Sequence, residues 1–450
     1  MSNTNDRKLG FVTSMFTVIA NMIGTGLFTS LGFQALGVHS QSAILLLWIV
    51  GGLIALCGTL VYAELGVRFP RSGGEYNILS EVYHPVVGFL SGWLSITIGF
   101  AAPVALAAVA LGNYSAQVFD VNPLIIAAVV VLILTLIHSW HVVGGAMMQN
   151  IFVFGKISLI LILVFAGLNY HPHQSFSFFP VGADWSSVWS NDFAVSLVYV
   201  SYAYSGWNAS IYFVNEIRKP YKNVFRSLFF GTLLVMILYV ALNYVFLRVM
   251  SIDEIIGYTN PTGDFKNLNP DIAFPVALKI FGTSGGQLMA LCISLILVSS
   301  VSSMIFVGPR VTQIIGEDYS LFKFASGKNK NGAPTIAVVL QSAITLILIF
   351  TSSFEAILKY AGFVLALSTC LTVGGLFIVR LRKLGKADSY KTFLYPFTPI
   401  FFLALNGWML FYLMKSNPYE SLAGFITLLS GGVVYAFAGR KKKDDASLPA

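Results

Sequence analysis

Charge is scarce in this chain. Asp, Glu, Lys and Arg make up 10% of its 450 residues, against about 25% in a soluble globular protein, and its mean hydropathy is +0.77. A water-solvated fold is excluded, and the apolar runs must be covered by lipid. Cysteine is scarce as well. Cys57, Cys292 and Cys370 each lie inside an apolar run, which excludes a loop disulfide framework and a cysteine metal cluster. The histidines scatter over span ends and loops, and His171 and His173 have no acidic or cysteine neighbour, so no metal and no cofactor is expected. Carboxylates are missing from the middles of the runs. Glu64 closes one beside Arg68 and Glu216 closes another, leaving no acidic proton relay and no charged sodium ligand. A membrane-embedded enzyme needs Asp, Glu or His clustered at one face, and a channel needs a ring-forming filter motif. Neither pattern is present.

What the chain has instead is apolar runs of about 20 residues, the length of a membrane-spanning helix. They fall near 11–36, 42–66, 85–115, 122–140, 149–169, 191–214, 227–249, 285–312, 334–352, 356–380, 393–414 and 419–438. This pattern predicts an all-α polytopic bundle of twelve transmembrane helices. The polar residues 1–10 precede a run too long for the apolar core of a signal peptide, so the first run is expected to be retained. Alternating sides places 21 Lys and Arg, among them Arg68, Arg71, Arg218 and Arg440–Lys443, on the face of both termini, against five on the other face. That asymmetry predicts cytoplasmic termini. It also accounts for the net charge of +8, with no nucleic-acid partner required. The 67–84 segment reads as an interfacial hairpin or a short surface helix.

Two runs are interrupted. Ile23-Gly24-Thr25-Gly26 lies in the middle of the first run, and Ala203-Tyr204-Ser205-Gly206 lies about thirteen residues into the sixth. Glycines at corresponding places in two halves mark discontinuous helices around a transporter's binding site. The alternative is a small-residue packing face. On the functional reading, amides opened at the first break, with the Thr25 hydroxyl, bind a carboxylate. Carbonyls opened at Tyr204–Gly206 bind an ammonium group, a pairing that suits an α-amino acid. Trp207, flanked by Tyr202 and Tyr204, is a candidate lid, with ordinary aromatic packing as its alternative.

Lys156 is the one basic residue left inside a run. It lies seven residues after Gln149, roughly 10 Å deep at 1.5 Å per residue. Either it snorkels to the interface, or it is a buried functional cation that plays the structural part of a bound ion. Ser299, Ser300, Ser302 and Ser303 of the eighth run are candidates to accept its hydrogen bonds.

Several segments together resemble the amino acid–polyamine–organocation superfamily, in its L-type amino-acid transporter branch. They are Ile23-Gly24-Thr25-Gly26-Leu27-Phe28, Tyr62-Ala63-Glu64-Leu65-Gly66, Pro70-Arg71-Ser72-Gly73-Gly74-Glu75-Tyr76, Ala203-Tyr204-Ser205-Gly206-Trp207-Asn208 and Asn215-Glu216-Ile217-Arg218-Lys219-Pro220. The resemblance spans about residues 8–440. It implies a LeuT-like inverted five-plus-five helix repeat, 11–170 and 171–380, followed by two extra helices over 381–438 and flanked by cytoplasmic segments 1–10 and 439–450. It implies a substrate carboxylate on the backbone of Met22, Ile23, Gly24, Thr25 and Gly26, and an α-amino group on carbonyls near Tyr202, Ala203 and Ser205. Lys156 would hold the place of a sodium ion, with Ser299 and Ser302 beside it. The activity implied is sodium-independent amino-acid exchange in the plasma (inner) membrane, with proton symport as the alternative. Neutral substrates are expected because no midspan carboxylate is seen. The segment near 116–122 has no cysteine, so no disulfide-linked ancillary subunit is expected, and the protein is read as a monomer or weak homo-oligomer. Departures from the relatives include Tyr202, where many carry Phe.

Overall fold

The computed structural model describes residues 9–140, 145–171, 174–263, 268–386 and 390–439. Arg7, Lys8, His141, His173, Lys266 and the Arg440–Lys443 cluster lie outside the described residues, as do nearly all of the expected terminal segments 1–10 and 439–450.

The described elements are helical. In chain order they are α1 (Phe11–Met22), α2 (Gly26–Gly37), α3 (Gln41–Arg68), α4 (Glu75–Val82), α5 (Pro85–Leu94), α6 (Ala101–Ala116), α7 (Pro123–Trp140), α8 (Gly145–Leu168) and α9 (Asp184–Val188). They continue with α10 (Asn191–Ala203), α11 (Pro220–Val249), α12 (Ile252–Thr259), α13 (Ala273–Asp318), α14 (Thr335–Thr351), α15 (Phe354–Leu381), α16 (Phe397–Ser416) and α17 (Pro418–Phe437). A π-helical turn at Ser95–Gly99 joins α5 to α6, and a 3-10 helix at Ala209–Glu216 follows α10. Serine hydroxyls start several helices in the expected way: Ser40 caps α3, Ser190 caps α10 and Ser353 caps α15.

Among the described residues, ten spans are long and apolar enough to cross a bilayer. Of the twelve expected runs, the two that fall short by length are α14, at 17 residues, and the broken 191–214 segment. The 67–84 segment forms the short helix α4. The 46-residue α13 is two helices joined at Gly282, whose φ of 71° leaves the helical region.

The polarity of the bundle is inverted relative to a soluble fold. Leu136, Phe154 and Leu429 are each more than two-thirds exposed, whereas Asn21, Thr25, Glu64, Glu75 and Lys156 are buried. Apolar side chains facing lipid cost nothing, and polar groups inside must find partners within the protein. Helix packing decides which partners meet. Helix α8 touches α1, α11 and α13, so Lys156 faces the end of α1 and the serines of α13; α2 lies along α10, and α11 along α3 and α1.

The buried Glu64 shows the rule. Its carboxylate accepts from Arg68 Nε at 3.1 Å and Arg380 Nη2 at 2.7 Å, and from the amide and hydroxyl of Thr392 at 2.7 and 2.8 Å. It thereby ties α3 and α15 to the segment before α16. Breaking a buried ion pair by removing one partner costs about 3–5 kcal/mol, because the other charge stays behind. Glu64→Gln is expected to lower the thermal unfolding midpoint of the detergent-solubilised protein sharply, an effect that added amino acid does not restore. An unchanged midpoint would show that the two arginines reach water without it.

Candidate functional site

Helix α1 stops at Met22 and α2 restarts at Gly26. A helix end leaves four carbonyls without helical partners, and a helix start leaves four amides. At the end of α1, Ile19 O accepts the Ile23 amide at 2.9 Å. Ala20 O and Ile23 O accept Lys156 Nζ at 3.2 and 2.8 Å, and the same ammonium donates to Ser300 Oγ at 2.8 Å. Ser300 Oγ in turn donates to Ile23 O at 3.1 Å. The Tyr239 hydroxyl of α11 lies 2.6 Å from Met22 O and 3.2 Å from Ala203 O, bridging the two breaks. Lys156 is 0% exposed. It does not snorkel: its three N–H donors meet three acceptors behind the break.

The start of α2 is the opposite case. The amides of Gly24 and Thr25 donate to no backbone carbonyl; the Gly24 amide meets the Tyr239 hydroxyl, and the buried Thr25 hydroxyl lies against that of Tyr202. Amides without carbonyl partners at a helix N-terminus make an anion site, and the helix dipole adds to it.

At the second break α10 ends at Ala203, and Gly206 turns the chain with a φ of 94°. The Tyr202 carbonyl accepts the Ser205 amide at 2.9 Å. Tyr204 is turned outward and donates to Trp48 O at 2.9 Å. The breaks cross in direct contact. A Cβ on Gly26 would lie 2.6 Å from Ala203 Cα, and one on Gly206 would lie 2.7 Å from Asn21 O. Both readings of the glycines therefore hold together, since the backbones pack closely because they are open. Gly24 is different, with nothing closer than 3.9 Å to an added Cβ.

Beside the crossing is a cavity walled by Asn21, Ser205, Gly206 and Asn208 from the breaks and by Ser95 and Gly99 of the π turn. Single π turns inside helices often sit at functional sites. Glu75 is also on this wall, which corrects the expectation that no carboxylate comes near the site. Gly73 and Gly74, with φ of 113° and 59°, fold the 67–84 segment back so that α4 begins under the cavity. The Glu75 carboxylate accepts from Tyr62 OH at 2.7 Å, Asn208 Nδ2 at 3.1 Å and Ser368 Oγ at 2.5 Å. The only sequence signal was an acidic residue directly after two glycines. Tyr239, in an uncharged run, gave none.

Other expected residues lie elsewhere. Ser302 is hydrogen-bonded to His138 Nε2 at 2.8 Å, turned toward α7 and away from Lys156. This is a correction: two residues from Ser300 is about 200° around a helix. Ser299 is buried with its hydroxyl unpartnered. Trp207 packs on Tyr62 at 4.6 Å and Phe402 at 6.2 Å, and with Tyr202 lines a second cavity reaching α16.

Two helices broken at glycines and crossing beside a cavity with polar groups from both breaks, inside a lipid-faced helical bundle, define a membrane carrier of the broken-helix class. The chain belongs to the amino acid permease family, whose profile matches residues 9–436, and with it to the superfamily that carries the LeuT-like fold. It is 27% identical to the large neutral amino acids transporter small subunit 2 of Mus musculus, over 95% of this chain and 80% of that one. It is 26% identical to the serine/threonine exchanger SteT of Bacillus subtilis (strain 168), over 89% of each. It is 23% identical to the b(0,+)-type amino acid transporter 1 of Mus musculus, over 95% of this chain and 87% of the relative. The protein is a transporter, not an enzyme.

Lys156→Met would leave Ala20 O and Ser300 Oγ without the ammonium and Ile23 O with Ser300 alone in a dry interior, at about 1–3 kcal/mol per group left unpaired. If the break is held by this ammonium, uptake falls by ~100-fold or more, at 1.4 kcal/mol per tenfold. Amino acid should then no longer raise the unfolding temperature of the purified variant. Wild-type uptake by Lys156→Met would remove the lysine from the site.

Proposed function

We propose that this protein is a sodium-independent exchanger of neutral amino acids that works by alternating access around the crossing of α1–α2 with α10. The observation that carries the reading is the Lys156 ammonium bound to Ala20 O, Ile23 O and Ser300 Oγ. A fixed cation already fills the place behind the first break where a bound sodium ion would otherwise neutralise opened carbonyls. The substrate carboxylate is assigned to the amides of Gly24 and Thr25, which donate to no backbone carbonyl, within the Met22–Gly26 backbone and at the positive end of α2. The ammonium group goes to carbonyls of the second break near Tyr202, Ala203 and Ser205, with Asn21 O opposite. A neutral side chain fits best, because both oxygens of Glu75 are already occupied by donors. Two relatives, a large neutral amino acids transporter and a serine/threonine exchanger by name, agree with that choice.

The reading includes the inverted repeat of 11–170 and 171–380 with additional helices over 381–438, and twelve crossings in all. It places the protein in the plasma (inner) membrane with both termini cytoplasmic, on the Lys and Arg asymmetry of the loops. It acts as a monomer or weak homo-oligomer, without a disulfide-linked ancillary subunit.

Radiolabelled uptake into proteoliposomes tests it. Vesicles preloaded with a neutral amino acid are expected to take up label several-fold faster than empty ones, equally in sodium and in potassium buffer. Accumulation in empty vesicles driven by an imposed pH step would replace the exchanger with a proton symporter. Accumulation driven by sodium would overturn the role assigned to Lys156.

A further inference from the structure

Asp271 lies in the segment between α12 and α13, at the end of the bundle away from Leu9. The Ile272 amide that follows it donates to Phe28 O at 3.1 Å, which straps this segment onto α2. Asp271 is 2% exposed, and the one polar group that reaches its carboxylate is the neutral side-chain amide of Asn113. It does not cap α13, whose N-cap is Ile272 without a side-chain bond. Two further buried oxygens lie beside this strap: the Tyr114 hydroxyl of α6, met by the Ala273 amide, and the unpartnered Thr259 hydroxyl at the end of α12. Thr259 Oγ1 and Pro270 Cα would lie 2.8 and 3.1 Å from a Cβ on Gly32 of α2, and the Tyr114 ring stands edge-on to Phe28 at 6.4 Å. Four elements thus converge on one dry place that contains a carboxylate.

Among the described residues, no cation offsets that carboxylate. Helices α2 and α6 have no charged residue. On α12 there are Asp253 and Glu254, and the one lysine of the first α13 turns, Lys279, is taken by Glu254 at 2.6 Å. The titratable side chains that act on Asp271 are Tyr114 and Tyr258, and the adjacent polar group is the Asn113 amide. A carboxyl group in such surroundings holds its proton, because burial without compensation disfavours the charged form. Burial pushes Asp271 up to about 7.

We propose that Asp271 binds a proton while this closure is shut and releases it when the closure opens to water. The acidity of the compartment on that face then sets how readily the carrier opens. The proton enters and leaves from the same side, so it regulates opening without driving transport, and the inference goes beyond the exchange reading. The sign follows from linkage. The affinity for the proton is higher in the closed form than in the open form, where an exposed Asp titrates near 3.9. Falling pH between about 7 and 4 therefore favours the closed form, by up to about tenfold per unit.

Hydrogen–deuterium exchange of the wild-type protein in lipid nanodiscs, without substrate, tests this. After correction for intrinsic rates, amides of 252–262 and 268–280 are expected to open about 10- to 100-fold more at pH 7.5 than at pH 5.5. Asp271→Asn, which mimics the protonated form, is expected to hold the low-pH protection at both values. Equal wild-type protection at the two pH values overturns the proposal, and so does a variant that keeps the wild-type pH dependence. Neither measurement uses substrate, so a failure of the exchange reading would leave this result standing.

Discussion

The protein depends on the way one ammonium ends a helix. A helix cut in the middle of a membrane exposes carbonyls that lipid will not solvate, and for α1 the repair comes from outside the helix. Lys156 reaches from α8 to Ala20 O and Ile23 O, Ser300 reaches from α13 to the same Ile23 O, and Tyr239 reaches from α11 to Met22 O. Three neighbouring helices therefore hold the C-terminal side of the break. The N-terminal side, with the amides of Gly24 and Thr25, receives no such support from the backbone. On the proposed reading this asymmetry suits the break to binding, since the half that is repaired fixes the geometry of the half that is left open.

The second constraint is distance. Gly26 against Ala203 and Gly206 against Asn21 bring two opened backbones so close that no side chain fits between them. On the proposed reading, amides of one break and carbonyls of the other bind the two ends of a zwitterion by main chain. Main-chain recognition is indifferent to the side chain. Selectivity must come from the cavity wall, where Asn208, Ser95 and the π turn stand. The same closeness extends along α2 and α10, where Ser30 donates to Tyr199 O and Phe33 stacks on the Tyr199 ring at 5.2 Å. A tilt of the α1–α2 unit against its surroundings must therefore break or carry these contacts as a set.

Much of this was legible in the sequence, because lipid punishes irregular backbone so heavily. Glycines in mid-run and a lysine seven residues into a run have few innocent explanations, and the structure puts both at one place. What was not legible depended on facing. Ser299, Ser300, Ser302 and Ser303 all lie on α13 within little more than one turn, and only the packing of α8 against α13 makes Ser300 the partner and sends Ser302 to His138. Glu75 read as a loop residue because the loop's return beneath the cavity is a tertiary event, made by two glycines with positive φ. Trp207 was placed beside the break by its number and away from the first cavity by its packing on Tyr62 and Phe402.

Three buried carboxylates show how the bundle manages negative charge without mobile ions. Glu64 keeps its charge by meeting two arginines, which makes it a rigid joint between α3 and α15. Glu75 is held by three neutral donors, two from side chains of α3 and α15 and one from Asn208 just past the second break. Its grip on α10's continuation is thus one that can be let go without leaving a bare cation behind. Asp271 meets no cation among the described residues and only the Asn113 amide, and on the proposal above its charge waits for water. In that order the three run from permanent to releasable to conditional. The permanent one lies in the joint between α3 and α15, the releasable one at the cavity, and the conditional one at the closure. Charge in this protein is graded by how much the surrounding elements have to move.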